Sequence, residues 1–88
     1  MAEFDGDPKV AKAVEDLTGR MAISADNIKI LSVENKTWPD SSLGCPQEGM
    51  MYMQMLVEGG KLIQLEADGQ IYNYHAGPDG DPFLCENQ

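Results

Sequence analysis

The sequence predicts a single α+β domain, one N-terminal helix packed on a four-stranded antiparallel meander. Three observations carry this. An apolar stripe recurs at spacings of three and four between Val10 and Met21, alternating apolar segments follow from Ile28 onward, and Asp68-Gly69 supplies a tight-hairpin signal between two of them. With 88 residues there is room for one domain, assigned to residues 8–86, between a loose acidic start at 1–7 and a short tail at 87–88. A helix and a sheet each bury one face by packing together.

Asp7-Pro8 is a helix-start signal, because Asp caps free N–H groups and Pro suits the first helical position. Val10, Ala13, Val14, Leu17 and Met21 form the stripe, and Lys9, Lys12, Glu15, Asp16 and Arg20 fall largely outside it. The expected helix is about 8–20, with Gly19 as candidate terminator and Arg20-Met21 as an alternative extension of the last turn. Ser24 to Asn27 punctuates the chain. Ile28 to Trp38 is a strand whose alternation slips between Ile30 and Leu31, which predicts a bulge. Pro39 to Gly49 is a loop.

Met50 to Val57 is the most apolar stretch and is expected to be a central strand, with Met51, Met53 and Met55 facing the core and Glu58-Gly59-Gly60 turning the chain. Lys61 to Ala67 and Gln70 to Ala76 make the hairpin around Asp68-Gly69. Tyr72 and Tyr74 share one face of its second strand, Asn73 and His75 the other. Phe83-Leu84-Cys85 is a final apolar patch.

Composition narrows the function classes. Six basic against fifteen acidic residues give a formal charge of −9, which argues against nucleic acid and anionic membrane surfaces, both bound through Lys/Arg neutralisation of phosphate. No apolar run approaches the roughly 20 residues of a spanning helix. A monomer that binds another protein is expected, with association to a basic partner steered and salt-sensitive.

Cys45 and Cys85 are the two cysteines. Joined, they close a loop of about forty residues, for which chain entropy gives about 4 kcal/mol. The alternative is two reduced, buried thiols. A disulfide implies a secreted or extracytoplasmic protein whose leader was removed, since Met1-Ala2-Glu3-Phe4 has no signal-peptide character. Glu3-Phe4 reads as a cloning scar, with the natural chain starting near Asp5.

The candidate site is the 38–50 loop. Pro39 and Pro46 restrict φ, Cys45 anchors the loop if bridged, and Leu43, between Ser42 and Gly44, is an apolar side chain available to a specificity pocket. Trp38, Asp40 and Met50 complete the set. The structural alternative is a connection whose Trp38 and Leu43 pack inward.

Other constellations are weaker. The methionines at 50, 51, 53 and 55 suit core packing, an adaptable surface or Cu(I), with core packing preferred. His75, Cys45 and Cys85 lack the close ligand spacing of zinc modules, and no base and orienter are marked for a nucleophilic cysteine. Asp79, Asp81 and Glu86 lack a calcium-loop pattern. No metal, cofactor or catalysis is therefore expected.

The string Trp38-Pro39-Asp40-Ser41-Ser42-Leu43-Gly44-Cys45-Pro46, continued by Gly49-Met50-Met51-Tyr52 and Gln54, resembles the signature of a family of small, mostly uncharacterised bacterial domains. Leu65 to Gly69, Tyr72, Tyr74-His75 and Leu84-Cys85 extend the resemblance. It implies a domain often exported or attached to exported proteins, for which no catalytic activity is established. Glu48, Glu58 and Gly60 depart from the pattern, where Pro, Pro and an aromatic are common.

The helix-then-meander order is also similar to cystatin-like and PepSY-like architectures, which implies peptidase inhibition as the most concrete function. The cystatin signature is Gln-x-Val-x-Gly, and Gln54 to Gly59 is one residue too long for it. The alternative functions are a small-molecule or peptide-binding module using a sheet edge or the Tyr72/Tyr74 face, and a structural domain.

Overall fold

The computed structural model describes residues 7–85. The expectations for residues 1–6, for Glu86 and for the tail at 87–88 lie outside the described residues.

Helix α1 spans Pro8–Met21. Its cap is Asp7, whose carboxylate accepts from the Lys9 N–H at 2.9 Å, and Pro8 occupies the first turn. Val10, Ala13 and Leu17 are buried, and Val14 and Met21 pack against them. The helix runs through Gly19, the expected terminator, and ends at Ala22 in the left-handed conformation (φ 54°), where the Ala22 N–H bonds to the Thr18 carbonyl. Gly19 is free to remain helical because it lies on the exposed side, away from the core.

A short 3-10 turn at Ala25–Asn27, capped by Ser24, leads into β1, Ile28–Trp38. Then come β2 at Val57–Ala67, β3 at Gln70–Ala76 and β4 at Phe83–Leu84. All neighbours are antiparallel, in the sheet order β1-β2-β3-β4. The bulge expected beside Leu31 is present as a register shift between Ile30 and Ser32. Asp68 (φ 55°) and Gly69 (φ 81°) both adopt positive φ, as a type I′ turn requires.

The fold class holds, but its second and fourth strands are not the expected ones. Met50 to Leu56 forms no strand, and the four methionines are exposed rather than central. Pro39 ends β1 directly after Trp38, and Trp38 pairs with Val57. Residues preceding Val57 therefore have no strand to pair with. Glu58-Gly59-Gly60 does not turn the chain; it lies inside β2. The fourth strand comes from the apolar patch at Phe83-Leu84.

One sheet face carries Ile63, Leu65 and Ala67 with Tyr74, closed by Val10, Ala13 and Leu17 of α1. Fully burying a large aliphatic side chain contributes about 1.5–3 kcal/mol, so Leu17, Ile63 and Leu65 are main contributors to this core. The Tyr74 hydroxyl reaches the helix and donates to Asp16 at 2.8 Å. The helix thus covers the Tyr72/Tyr74 face: Tyr74 is buried and Tyr72 half-buried.

Candidate functional site

The opposite sheet face divides into two zones. At one end lies a polar ladder across three strands, Ser32 donating to Gln64 at 3.0 Å and Gln64 to Asn73 at 2.8 Å. At the other end the 39–56 connection folds over the sheet, and its first half supplies a second, smaller core.

That core begins with Trp38, the last residue of β1. Its indole stacks on the His75 ring with centroids 4.9 Å apart and planes 11° from parallel, and Nε1 donates to the Ala76 carbonyl at 2.8 Å. The indole crosses β2 at Gly60, where a Cβ would lie 2.4 Å from Nε1. The glycine read as a turn residue is instead the floor beneath a tryptophan. His75 is buried and its Nδ1 lies 2.7 Å from the Leu43 carbonyl oxygen. A carbonyl can only accept, so Nδ1 carries the proton and donates. Phe83 of β4 meets the imidazole in a tilted arrangement, with centroids 6.2 Å apart.

The turn that delivers Leu43 is built by Asp40. Its carboxylate accepts from the Ser42 N–H at 2.9 Å and from the Ser42 hydroxyl. These two bonds, hydroxyl first, hold Asp40 below the usual carboxylate range. Leu43 (φ 57°) and Gly44 (φ 76°) then reverse the chain in left-handed geometry. Gly44 is required there, because a Cβ would sit 2.4 Å from the Trp38 ring. Cys45 follows and is bonded to Cys85, with Cα atoms 5.8 Å apart. The Cys85 N–H bonds to the Asn73 carbonyl at 2.8 Å, fixing the other end to β3.

Beyond the disulfide the chain changes character. Gln47 to Met50 makes a turn, and the chain then returns past Ser41. The Ser41 N–H donates to the Met53 carbonyl at 3.0 Å and the Met53 N–H to the Ser41 hydroxyl at 2.9 Å. Tyr52 is half-buried, its hydroxyl accepting from the Gln47 N–H. The apolar side chains around it stay in solvent: Met50 is 61% exposed, Met51 95%, Met53 70%, Met55 50% and Leu56 71%. Among the described residues, five of the seven exposed large hydrophobic side chains belong to this Met-rich limb.

The predicted loop residues therefore serve two ends. Trp38 and Ser42 are buried and Asp40, Leu43 and Gly44 half-buried, so they hold the connection down; Pro39, Pro46 and Met50 are exposed. Leu43 packs toward Gly77, near whose Cβ position its methyl groups lie at 3.4 and 3.5 Å. Sequence reasoning missed His75 as the pivot of the second core and Gly60 as its floor. The usable signal was parity: His75 falls on the face opposite Tyr74, and so cannot join the helix-side core.

Among the described residues no three His, Cys, Asp or Glu side chains converge on a common point, and no free thiol is available as a nucleophile. No helix among them is long and apolar enough to cross a membrane. The arrangement offers a presented apolar segment on a covalently tied base. A family model described as a domain of unknown function (DUF8738) matches residues 10–85, and the chain belongs to that family. No curated protein and no solved structure matches the chain.

Proposed function

We propose that this member of the DUF8738 family is a non-enzymatic, exported protein-binding module that engages its partner through the limb from Pro46 to Leu56. One observation carries the reading: five large apolar side chains between Met50 and Leu56 are at least half exposed on a segment whose start is tied by the Cys45–Cys85 disulfide and whose middle is bonded to Ser41. A tethered segment loses less conformational entropy on binding than a free one. Methionines suit such a surface because their unbranched side chains adapt to a partner's relief. The charge of −9 favours a partner whose apolar cleft is framed by basic residues.

The most concrete form is peptidase inhibition, the loop from Trp38 to Met50 acting as base and the methionines entering the cleft. The helix-then-meander order, in which the sequence resembles cystatin-like scaffolds, is what suggests this form. Titration against serine, cysteine and metallo-peptidases tests it, with inhibition of one class expected and lost on Met51→Asp together with Met53→Asp. No inhibition of any class removes the peptidase form. Capture of a partner from an extracytoplasmic extract that survives those two substitutions removes the limb as the contact surface.

A second reading has one observation in its favour: among the described residues β1 pairs with β2 alone, which makes it an edge strand of the sheet to which a further strand could add. The bulge after Ile30 and the charges of Lys29, Glu34 and Lys36 blunt that edge. Peptide-induced NMR shifts confined to β1, with the limb silent, would favour it.

A further inference from the structure

We propose that Met51, Met53 and Met55 form a binding site for a soft monovalent metal ion, Cu(I). Thioethers are soft ligands that select Cu(I) over the harder divalent ions, and here they are gathered. Of the six methionines in the chain, four lie between residues 50 and 55. All four are at least half exposed, so none is occupied in filling a core. Adaptability accounts for methionine on a docking surface; four thioethers within residues 50–55 in addition supply a soft donor set.

Local geometry favours chelation. Met51, Met53 and Met55 stand at alternate positions of a segment that belongs to neither helix nor strand, and a methionine side chain turns about three bonds. Two neighbouring thioethers in a Met-x-Met spacing can therefore close on one ion, and the third can complete a three-sulfur set. Met53, the middle ligand, has both its N–H and its carbonyl bonded to Ser41, while the half-buried Tyr52 turns back to Gln47. The central ligand is thus fixed to the base, with Met51 and Met55 exposed on either side of it.

The rest of the chain is consistent with this chemistry. Both cysteines are consumed in the disulfide, which leaves thioethers as the soft ligands among the described residues. They lose no proton on binding, so affinity is independent of pH across the range where imidazole and carboxylates titrate. The net charge of −9 raises the local concentration of a cation.

Two measurements on the intact, disulfide-bonded protein test the site. In the first, Ag(I) as a stand-in for Cu(I) is titrated while the methionine methyl groups are followed by NMR. One equivalent should move the signals of Met51, Met53 and Met55 and leave Met21 in place; unmoved limb methyls overturn the proposal. In the second, Cu(I) maintained by ascorbate is competed against a chromophoric Cu(I) chelator. The triple variant Met51→Leu, Met53→Leu, Met55→Leu should keep its Tm and lose at least tenfold in Cu(I) affinity. Unchanged affinity in that variant, or a tenfold fall in wild-type affinity between pH 7 and pH 5, overturns it. The leucine variant retains apolar area, so partner binding should survive in it; the two proposals therefore fail separately.

Discussion

The indole of Trp38 and the imidazole of His75 lie face to face, 4.9 Å between centroids, on the sheet face that the helix does not cover. Trp38 ends β1 and its Nε1 bonds to Ala76 at the end of β3, so one side chain spans the middle strand. The small domain thereby gains a second core without a second helix. Everything the connection presents to solvent is held by that core and the disulfide beside it.

The glycines beneath and beside the indole should be intolerant of a single added methyl. A Cβ at Gly60 would lie 2.4 Å from Trp38 Nε1 and 2.7 Å from the Ala76 carbonyl, and one at Gly44 would lie 2.4 Å from the indole ring. Overpacking of this kind costs about 1–3 kcal/mol, or roughly 5–20 °C in Tm for a domain of this size. Gly19→Ala is the control: nothing lies within 4 Å of its Cβ position, and it should stabilise by about 0.5–1 kcal/mol. Thermal denaturation of the three variants checks the contrast.

Cys45 and Cys85 are separated by 40 residues, and their bond constrains the unfolded chain by about 4 kcal/mol. Cys45→Ser with Cys85→Ser should shift the urea midpoint far downward. Near-UV circular dichroism of the Trp38 band at low temperature checks whether the indole still stacks once the tie is gone; it should weaken, because Cys45 directly follows the Gly44 turn against the ring.

Ser41 should matter to presentation more than to folding. Ser41→Ala keeps the backbone donor to Met53 and removes the hydroxyl that accepts from the Met53 N–H. This exposed bond is worth about 0.5–1.5 kcal/mol at most, so Tm should barely move. Hydrogen exchange at the Met53 amide should accelerate, and any partner affinity should fall through the cost of reordering the limb.

What the sequence reveals and conceals follows from the range of each signal. Helix α1, the bulge at Leu31 and the Asp68-Gly69 turn are written in residues a few positions apart, and each is where the pattern puts it. The Met50–Val57 segment misleads because apolarity usually means burial. Its exposure depends on a fact elsewhere in the chain, that Val57 already pairs with Trp38. Gly60 reads as a turn until the tryptophan above it is known. The disulfide pairing is legible because two cysteines allow one bond; strand parity puts His75 on the face away from the helix, but its partners Trp38 and Leu43 come from 37 and 32 positions away and no local pattern names them.

The last prediction concerns pH and the helix side of the sheet. Asp16 accepts from Arg20 and from the Tyr74 hydroxyl. Partial burial pushes its carboxyl up, but the bonds to Arg20 and Tyr74 outweigh that and hold it below its ordinary value. A carboxyl with a lowered folded-state value contributes stability that is present above the unfolded value near 3.8 and is lost as pH falls through the folded one. Tyr74 moves the other way: burial, then the bond to Asp16 and its negative charge, raise the phenol well above its ordinary value of 10.0. Its contribution is complete below pH 10 and disappears as the solution becomes more alkaline, because the buried phenolate would face the Asp16 carboxylate. Stability should therefore be flat between about pH 5 and 9 as far as this pair is concerned, and fall at both ends. Tyr74→Phe should remove the alkaline loss and, by deleting a donor, let Asp16 titrate closer to its unfolded value. Asp16→Asn should soften both limbs. Urea midpoints of the wild type and the two variants from pH 2.5 to 11 check this, with an unchanged alkaline limb in Tyr74→Phe counting against the coupling.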